Sequence, residues 1–83
     1  MATKLTPHQT RKLADRQIAV IPRKDGWEVQ MHDNAVAYVW KEGPRDFAAC
    51  LVRTSPDGTR TFHDAVLGFF TLYEAVEGIL DTM

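Results

Sequence analysis

The hydrophobic positions near the end of the chain repeat with the period of an α-helix. They fall at i, i+3, i+4, i+7, i+8 and i+11, which places them on one side of a helix. These positions are Leu72, Ala75, Val76, Ile79, Leu80 and Met83. Thr71 and Glu74 have the spacing of a capping box, in which the threonine oxygen accepts from a free amide and the carboxylate reaches back to the threonine N–H. The pattern predicts a helix over residues 70–83 with a buried apolar side.

Earlier in the chain, apolar and polar residues alternate with the period of a β-strand. This alternation predicts strands over residues 18–21, 27–32, 35–40, 47–54 and 60–67. Pro22 has no backbone N–H to donate, so the first strand should lie at a sheet edge. Thr6, Pro7 and Gln9 combine a capping-box spacing with a proline in the first turn, which predicts a short helix over about residues 7–15.

These elements together predict an α+β fold. We expect an antiparallel meander of four to five strands, with a short N-terminal helix and a C-terminal helix packed on one sheet face. One domain should span residues 1–83, with a basic helix or arm in 1–16, the sheet in 17–67 and the C-terminal helix in 70–83. This length suffices for a two-layer core.

The turns predict which side chains share a face of the sheet. A two-residue loop at Asp33 and Asn34 would place Trp27 opposite Trp40, with Tyr38 on the same face. We expect this aromatic face to pack under the C-terminal helix; the alternative is a stacking platform for bases or a protein partner. The other face would then present small apolar residues to a partner sheet or a second protomer, namely Ala35, Ala37 and Val39.

The strongest turn signal is the Pro-Asp-Gly sequence at residues 56–58. Proline presets the first turn position and glycine permits a positive φ, so a three-residue loop with a glycine bulge is favoured. That loop sets Val52 opposite Phe62. A four-residue loop would instead bring Arg53 opposite Arg60, and two like charges at cross-strand distance are unfavourable.

Composition narrows the function classes. The chain is 45% hydrophobic and 25% charged with a net charge of −1, as in an ordinary globular domain. No apolar run approaches the roughly 20 residues that a membrane span needs. Residues 1–7 lack the apolar core of a signal peptide, so we expect a cytoplasmic protein. Cys50 has no second cysteine to pair with and the three histidines are scattered, so we expect no metal and no cofactor.

The charges are unevenly distributed along the chain. All ten Lys and Arg residues lie in residues 1–60, and the remaining segment carries only acidic charge. The basic residues near the N-terminus are candidates for phosphate contacts with nucleic acid: Lys4, Arg11, Lys12 and Arg16. The sequence pI of about 6.3 is low for a dedicated nucleic-acid-binding domain. Nucleic-acid binding is therefore the alternative hypothesis rather than the leading one.

Three carboxylates line one side of the predicted C-terminal helix, at i, i+3 and i+7. They are Glu74, Glu77 and Asp81, which we call the acidic stripe. No base in residues 61–83 opposes them. The stripe is either a solvated surface or a docking site for a basic protein partner, and it is the candidate partner-binding site of the chain.

Two segments resemble the arm-type DNA-binding domain of phage integrases, a three-stranded sheet followed by one helix. Residues 25–29 (Asp-Gly-Trp-Glu-Val) are similar to its first strand, and residues 68–75 (Gly-Phe-Phe-Thr-Leu-Tyr-Glu-Ala) to its strand-to-helix junction. Between these two segments the chain has two strands more than that family has. The basic strand residues with which that family contacts DNA have no counterpart here, so we carry no function over.

Cys50 and His63 are the one pair that could combine a nucleophile with a base. The three-residue loop places His63 opposite Leu51 and Cys50 opposite Asp64, on different faces of the sheet. The sequence also has no phosphate-binding glycine loop, so we expect a non-catalytic protein. The leading hypothesis is a small protein–protein interaction module, an adaptor or inhibitor of a bacterial or phage type, that forms a homodimer. The alternative is an accessory nucleic-acid-binding protein.

Overall fold

Five antiparallel strands form one sheet in which neighbours along the chain are also neighbours in space. The computed structural model describes residues 5–83. Its elements are α1 (Pro7–Ala14), β1 (Ile18–Arg23), β2 (Gly26–Met31), β3 (Asn34–Gly43), β4 (Asp46–Thr54), β5 (Arg60–Phe69) and α2 (Leu72–Leu80). The strand order is β1-β2-β3-β4-β5. The predicted α+β meander is therefore confirmed, and the strand that carries Pro22 lies at an edge.

Local side-chain caps explain where both helices begin. The Thr6 hydroxyl accepts from the N–H of Gln9 and the Gln9 side chain accepts from the N–H of Thr6, each at 3.1 Å, which completes the predicted capping box of α1. At α2 the Thr71 hydroxyl accepts from the N–H of Glu74 at 3.1 Å. The Glu74 carboxylate, however, accepts from the N–H of Phe70 rather than from that of Thr71. The second capping box is therefore only half formed.

Both helices pack on the same face of the sheet, where they enclose one apolar core. The helix α2 lies across β3, β4 and β5, and α1 contacts β1. The buried core consists of Leu13, Ile18, Val29, Ala37, Val39, Phe47, Ala49, Leu72, Ala75, Val76, Ile79 and Leu80. Five of the six residues of the predicted helical stripe are in it. Met83 is 63% exposed, because α2 ends at Leu80 before the stripe is complete.

The β2–β3 register is shifted by one residue from the prediction along most of its length. The turn lies at His32 and Asp33, which both have positive φ (51° and 67°), so Met31 pairs with Asn34. The Asn34 side chain donates to the His32 carbonyl at 3.3 Å. Two residues beyond Asn34 on β3, Val36 has no partner and forms a bulge. The pairing of β2 with β3 therefore differs from the prediction for two reasons. The type I′ turn begins one residue earlier than expected, and the bulge adds a residue to β3.

This shift exchanges the faces of the β3 side chains, because successive residues of a strand point to opposite sides. Trp27 pairs with Val39 and lies on the helix-covered face. Tyr38 and Trp40 project from the other face, so the predicted aromatic face does not exist. Ala37 and Val39, which we predicted to be open to a partner, are fully buried under the helices.

The β4–β5 hairpin has the predicted loop. Gly58 has a φ of +89°, and the N–H of Ser55 donates to the carbonyl of Thr59 at 2.8 Å, which closes a three-residue loop over residues 56–58. Val52 pairs with Phe62, as predicted.

Beyond this loop, two bulges in β5 change the pairing. They lie near Asp64 (φ 56°) and Gly68 (φ 88°). His63 pairs with Leu51 as predicted, but the first bulge places an extra residue opposite Cys50, so the predicted pairing of Cys50 with Asp64 is wrong.

Candidate partner-binding face

The helices leave one side of the sheet uncovered, and this side carries large apolar side chains. Cross-strand pairing assigns Ile21, Glu28, Tyr38, Trp40, Ala48, Cys50, Val52 and Phe62 to it, and Leu67 follows by alternation from the core-facing Val66. We call this set the uncovered face. Phe62 is 62% exposed and Leu67 is 67% exposed. An apolar surface of this kind on a small protein is typical of an interaction site.

A buried carboxylate with two arginines lies on the uncovered face. Glu28 on β2 is only 5% exposed. Its carboxylate is 3.0 Å from a guanidinium nitrogen of Arg60 and 3.4 Å from one of Arg23. The side-chain amide of Gln30 also donates to it at 2.6 Å. The hydrogen bond from Gln30, together with those from the two arginines, lowers the pKa of Glu28 although burial opposes this shift.

The contact between Arg60 and Glu28 joins strands that are not neighbours. Arg60 begins β5 and Glu28 lies on β2, so β3 and β4 lie between them. In a flat sheet the two strands would be about 14 Å apart, since adjacent strands are about 4.8 Å apart. The contact therefore indicates that the sheet curls toward the uncovered face. Register shifts in three of the four strand pairs are consistent with this, because bulges bend strands and increase their twist.

The curl produces two adjoining clefts on the uncovered face. The first, of about 380 Å³, lies between Arg23 and Arg60, and we call it the arginine cleft; its lining also includes Lys24, Asp25, Glu28, Ala35, Tyr38, Val52 and Phe62. The second, of about 420 Å³, is lined by Tyr38, Trp40, Cys50, Phe62, His63, Asp64 and Ala65. Tyr38 and Phe62 line both, so the two clefts adjoin each other.

Two titratable groups that line these clefts, Cys50 and Tyr38, have raised pKa values. Burial raises the pKa of the Cys50 thiol, which keeps it protonated, and only a thiolate is a strong nucleophile. Burial, with the nearby charge of Asp25, also raises the pKa of Tyr38. The His63 ring shares a 2.8 Å hydrogen bond with the Thr61 hydroxyl. Among residues 5–83 there is no group of three or more His, Cys, Asp or Glu side chains arranged to hold a metal ion.

The acidic stripe lies on α2, away from the uncovered face, and within residues 5–83 only Glu77 of its three carboxylates has a cationic partner. Glu77 accepts from the guanidinium of Arg16 at 2.5 Å and from the hydroxyl of Tyr73 at 3.2 Å. The tertiary structure therefore supplies a countercharge that residues 61–83 do not contain. Glu74 is exposed at the first turn of α2, and Asp81 is its exposed C-cap.

The structure places three of the four predicted basic residues. Lys4 lies outside the described residues. Arg16 is held by Glu77, as above. Arg11 and Lys12 are exposed in the last turn of α1.

Sequence reasoning missed the cluster of Glu28, Arg23 and Arg60. In the predicted alternation Glu28 was an ordinary polar strand position. The β1–β2 turn contains a signal for one of its contacts, because a two-residue loop at Lys24 and Asp25 places Arg23 diagonally across from Glu28. The contact with Arg60 spans 32 positions and follows from the curl of the sheet.

Comparison of the chain with protein-family models, with curated proteins and with solved structures gave no significant match. The fold and the clefts therefore carry the functional argument. In the part of the chain that the structure describes, no helix is long and apolar enough to cross a membrane.

Proposed function

We propose that this protein is a small non-catalytic protein–protein interaction module, an adaptor or inhibitor of a bacterial or phage type. The observation that carries the proposal is the uncovered face, where Phe62 and Leu67 are exposed beside half-buried Tyr38 and Trp40. Aromatic side chains bury much area at low entropic cost and are common anchors of protein interfaces. The raised pKa of the Cys50 thiol, noted above, is consistent with a non-catalytic role.

The sheet edges are less suited to binding than the face. On β1, Pro22 lacks the N–H that a pairing strand needs. On β5, bulges near Asp64 and Gly68 interrupt the regular row of backbone groups. Both features are devices by which proteins prevent strand addition at sheet edges. A partner is therefore expected to contact side chains of the uncovered face.

A second copy of this chain is one partner that the proposal includes. A homodimer would cover Phe62 and Leu67 with the same residues of the other protomer, since a two-fold interface uses one patch twice. We also propose that the protein acts in the cytoplasm, where a buried free thiol such as that of Cys50 is stable without a disulfide partner.

The acidic stripe is a second proposed docking surface, for a basic partner. Within residues 5–83, Glu74 and Asp81 have no cation within ion-pair distance. Glu74→Gln with Asp81→Gln, which spares the paired Glu77, should slow association with such a partner and flatten its salt dependence. Unchanged association kinetics would show that these carboxylates are only solvated.

The proposal is tested by affinity capture from the native host with mass-spectrometric identification. The bait is the wild-type protein or the double variant Phe62→Ser with Leu67→Ser. The matched control is Met83→Ser, which removes an equally exposed apolar side chain next to the end of α2. Substitutions at such exposed positions typically change stability by less than about 0.5 kcal/mol, so lost capture reports on the surface.

We expect a defined partner with the wild-type and Met83→Ser baits and its loss with the double variant. If the partner is a second copy, sedimentation equilibrium should show a dimer for the wild-type protein and for Met83→Ser, and a monomer for the double variant. Capture of the same proteins by all three baits, with an unchanged oligomeric state, would contradict the assignment of the uncovered face.

A further inference from the structure

The arginine cleft has an excess of positive charge at its mouth. Glu28 is at its floor with a side chain only 6% exposed, whereas the side chains of Arg23 and Arg60 are 47% and 50% exposed. Of the other charged residues that line the cleft, Lys24 and Asp25 offset each other. Two exposed guanidinium groups therefore share one buried carboxylate. The cleft has a net charge of +1, and the positive groups are the ones that face solvent.

Both guanidinium groups have donors to spare. A guanidinium has five N–H donors in a fixed plane, and it binds a carboxylate best through two parallel hydrogen bonds. In the described residues, Glu28 is the one acidic group within ion-pair distance of Arg23 or Arg60. Because Glu28 already orients both side chains, a second anion would bind without the full entropic cost of ordering them.

The walls of the cleft are apolar and indicate what kind of anion fits. Val52, Phe62, Tyr38 and Ala35 line it beside the arginines. A nucleic-acid backbone presents a row of phosphates and is bound by extended sets of cations, whereas here one net charge lies in a recess of about 380 Å³. A single carboxylate next to an apolar side chain matches both the charge and the walls.

We propose that the arginine cleft binds an acidic segment of a partner protein, with one carboxylate between Arg23 and Arg60 and a neighbouring apolar side chain against Phe62. The inference rests on the proposed function and names the chemistry of the partner. It also assigns a function to the curl of the sheet, because the curl brings residues of β1 and β5 to the same ligand.

The test is selection of a random heptapeptide phage library on the immobilised wild-type protein, followed by calorimetry with the synthetic peptides. We expect peptides in which Asp or Glu adjoins Leu, Ile or Phe. Replacing the acid by its amide in the peptide, or Arg23→Gln or Arg60→Gln in the protein, should weaken binding about tenfold or more, since hydrogen bonds between charged groups are at stake. The matched control is Arg53→Gln, which removes the same charge from an exposed position on the opposite face.

Each single arginine variant leaves Glu28 one cationic partner, so the buried carboxylate stays paired. If Arg60→Gln fails to fold, Arg60→Lys is used instead, because it keeps the positive charge. Three results would overturn the proposal. The selection enriches no peptides, the selected peptides lack acidic residues, or Arg53→Gln weakens peptide binding as much as Arg60→Gln does. If the peptides lack acids but lose binding with Phe62→Ser, the interaction module stands and only the acidic chemistry fails. If neither Phe62 nor the arginines affect binding, both proposals fail. Binding of a single-stranded DNA 12-mer that needs both arginines would assign the cleft to phosphate and also overturn it.

Discussion

Gly78 lies in the middle of α2 against the ring of Phe69 on β5, and the close approach of these two residues gives a sharp test of the packing. A Cβ atom at position 78 would lie 2.4 Å from Cε1 and 2.7 Å from Cζ of Phe69. Both distances are far below van der Waals contact. The absence of a side chain at Gly78 therefore permits a close contact between α2 and β5.

Two opposing effects determine the result of Gly78→Ala. Alanine in a helix interior is favoured over glycine by about 1 kcal/mol, and overpacking of a filled site typically costs about 1–3 kcal/mol. We expect the substitution to destabilise the wild-type protein by about 0–2 kcal/mol. In a Phe69→Leu background the clashing Cε1 and Cζ atoms are absent, so the same substitution should stabilise by up to about 1 kcal/mol.

The assay is a double-mutant cycle measured by urea denaturation with tryptophan fluorescence, repeated at two protein concentrations so that any association is detected. We expect a coupling energy of about 1–3 kcal/mol between Gly78→Ala and Phe69→Leu. A difference of this size corresponds to a shift of several degrees or more in Tm for a domain of this length. If Gly78→Ala has the same effect in both backgrounds, or stabilises the wild-type protein by the full helix propensity, then α2 does not pack on the Phe69 ring as described.

Three further predictions address other parts of the molecule. Gly26→Ala should destabilise the protein by about 1–3 kcal/mol or more, because its Cβ would lie 2.2 Å from the backbone oxygen of Val39; an unchanged urea midpoint would show that β2 and β3 are farther apart. The lowered pKa of Glu28 implies stability that is complete above the unfolded value of about 4.3 and is lost as pH falls through the folded value, so the wild-type advantage in Tm over Glu28→Gln should shrink in acid; parallel curves would contradict this. If the nucleic-acid alternative holds, duplex DNA should bind at low salt, and Arg11→Ala with Lys12→Ala should reduce the logarithmic salt slope by about two; flat titrations at about 50 mM salt would remove it.

Much of the fold follows from local chemistry that the sequence displays. The Thr6 and Gln9 capping box, the Pro-Asp-Gly loop at residues 56–58 and the apolar stripe of α2 each depend on neighbours a few positions apart. Pro22 likewise marked an edge strand through its missing donor. Together with the alternation of apolar and polar residues, these features predicted the type and order of the elements.

The β2–β3 register shows where local signals stop being sufficient. Asp33 and Asn34 were as suitable for the turn as His32 and Asp33, and the bulge at Val36 has no signature in the sequence. An error of one residue exchanges the two faces of a strand, because its side chains alternate with a period of two. Tyr38 therefore belongs to the uncovered face, where it lines both clefts.

The sequence by itself determined which segments become helices and strands, because caps, turns and periodicity act over a few residues. Only the tertiary structure decided which face stays uncovered and which charges meet on it. Arg23 and Arg60 lie on opposite edges of the sheet and reach the same carboxylate of Glu28 because the sheet curls. That curl is a property of the whole sheet with its bulges, and contacts that depend on it cannot be read from the spacing of residues along the chain.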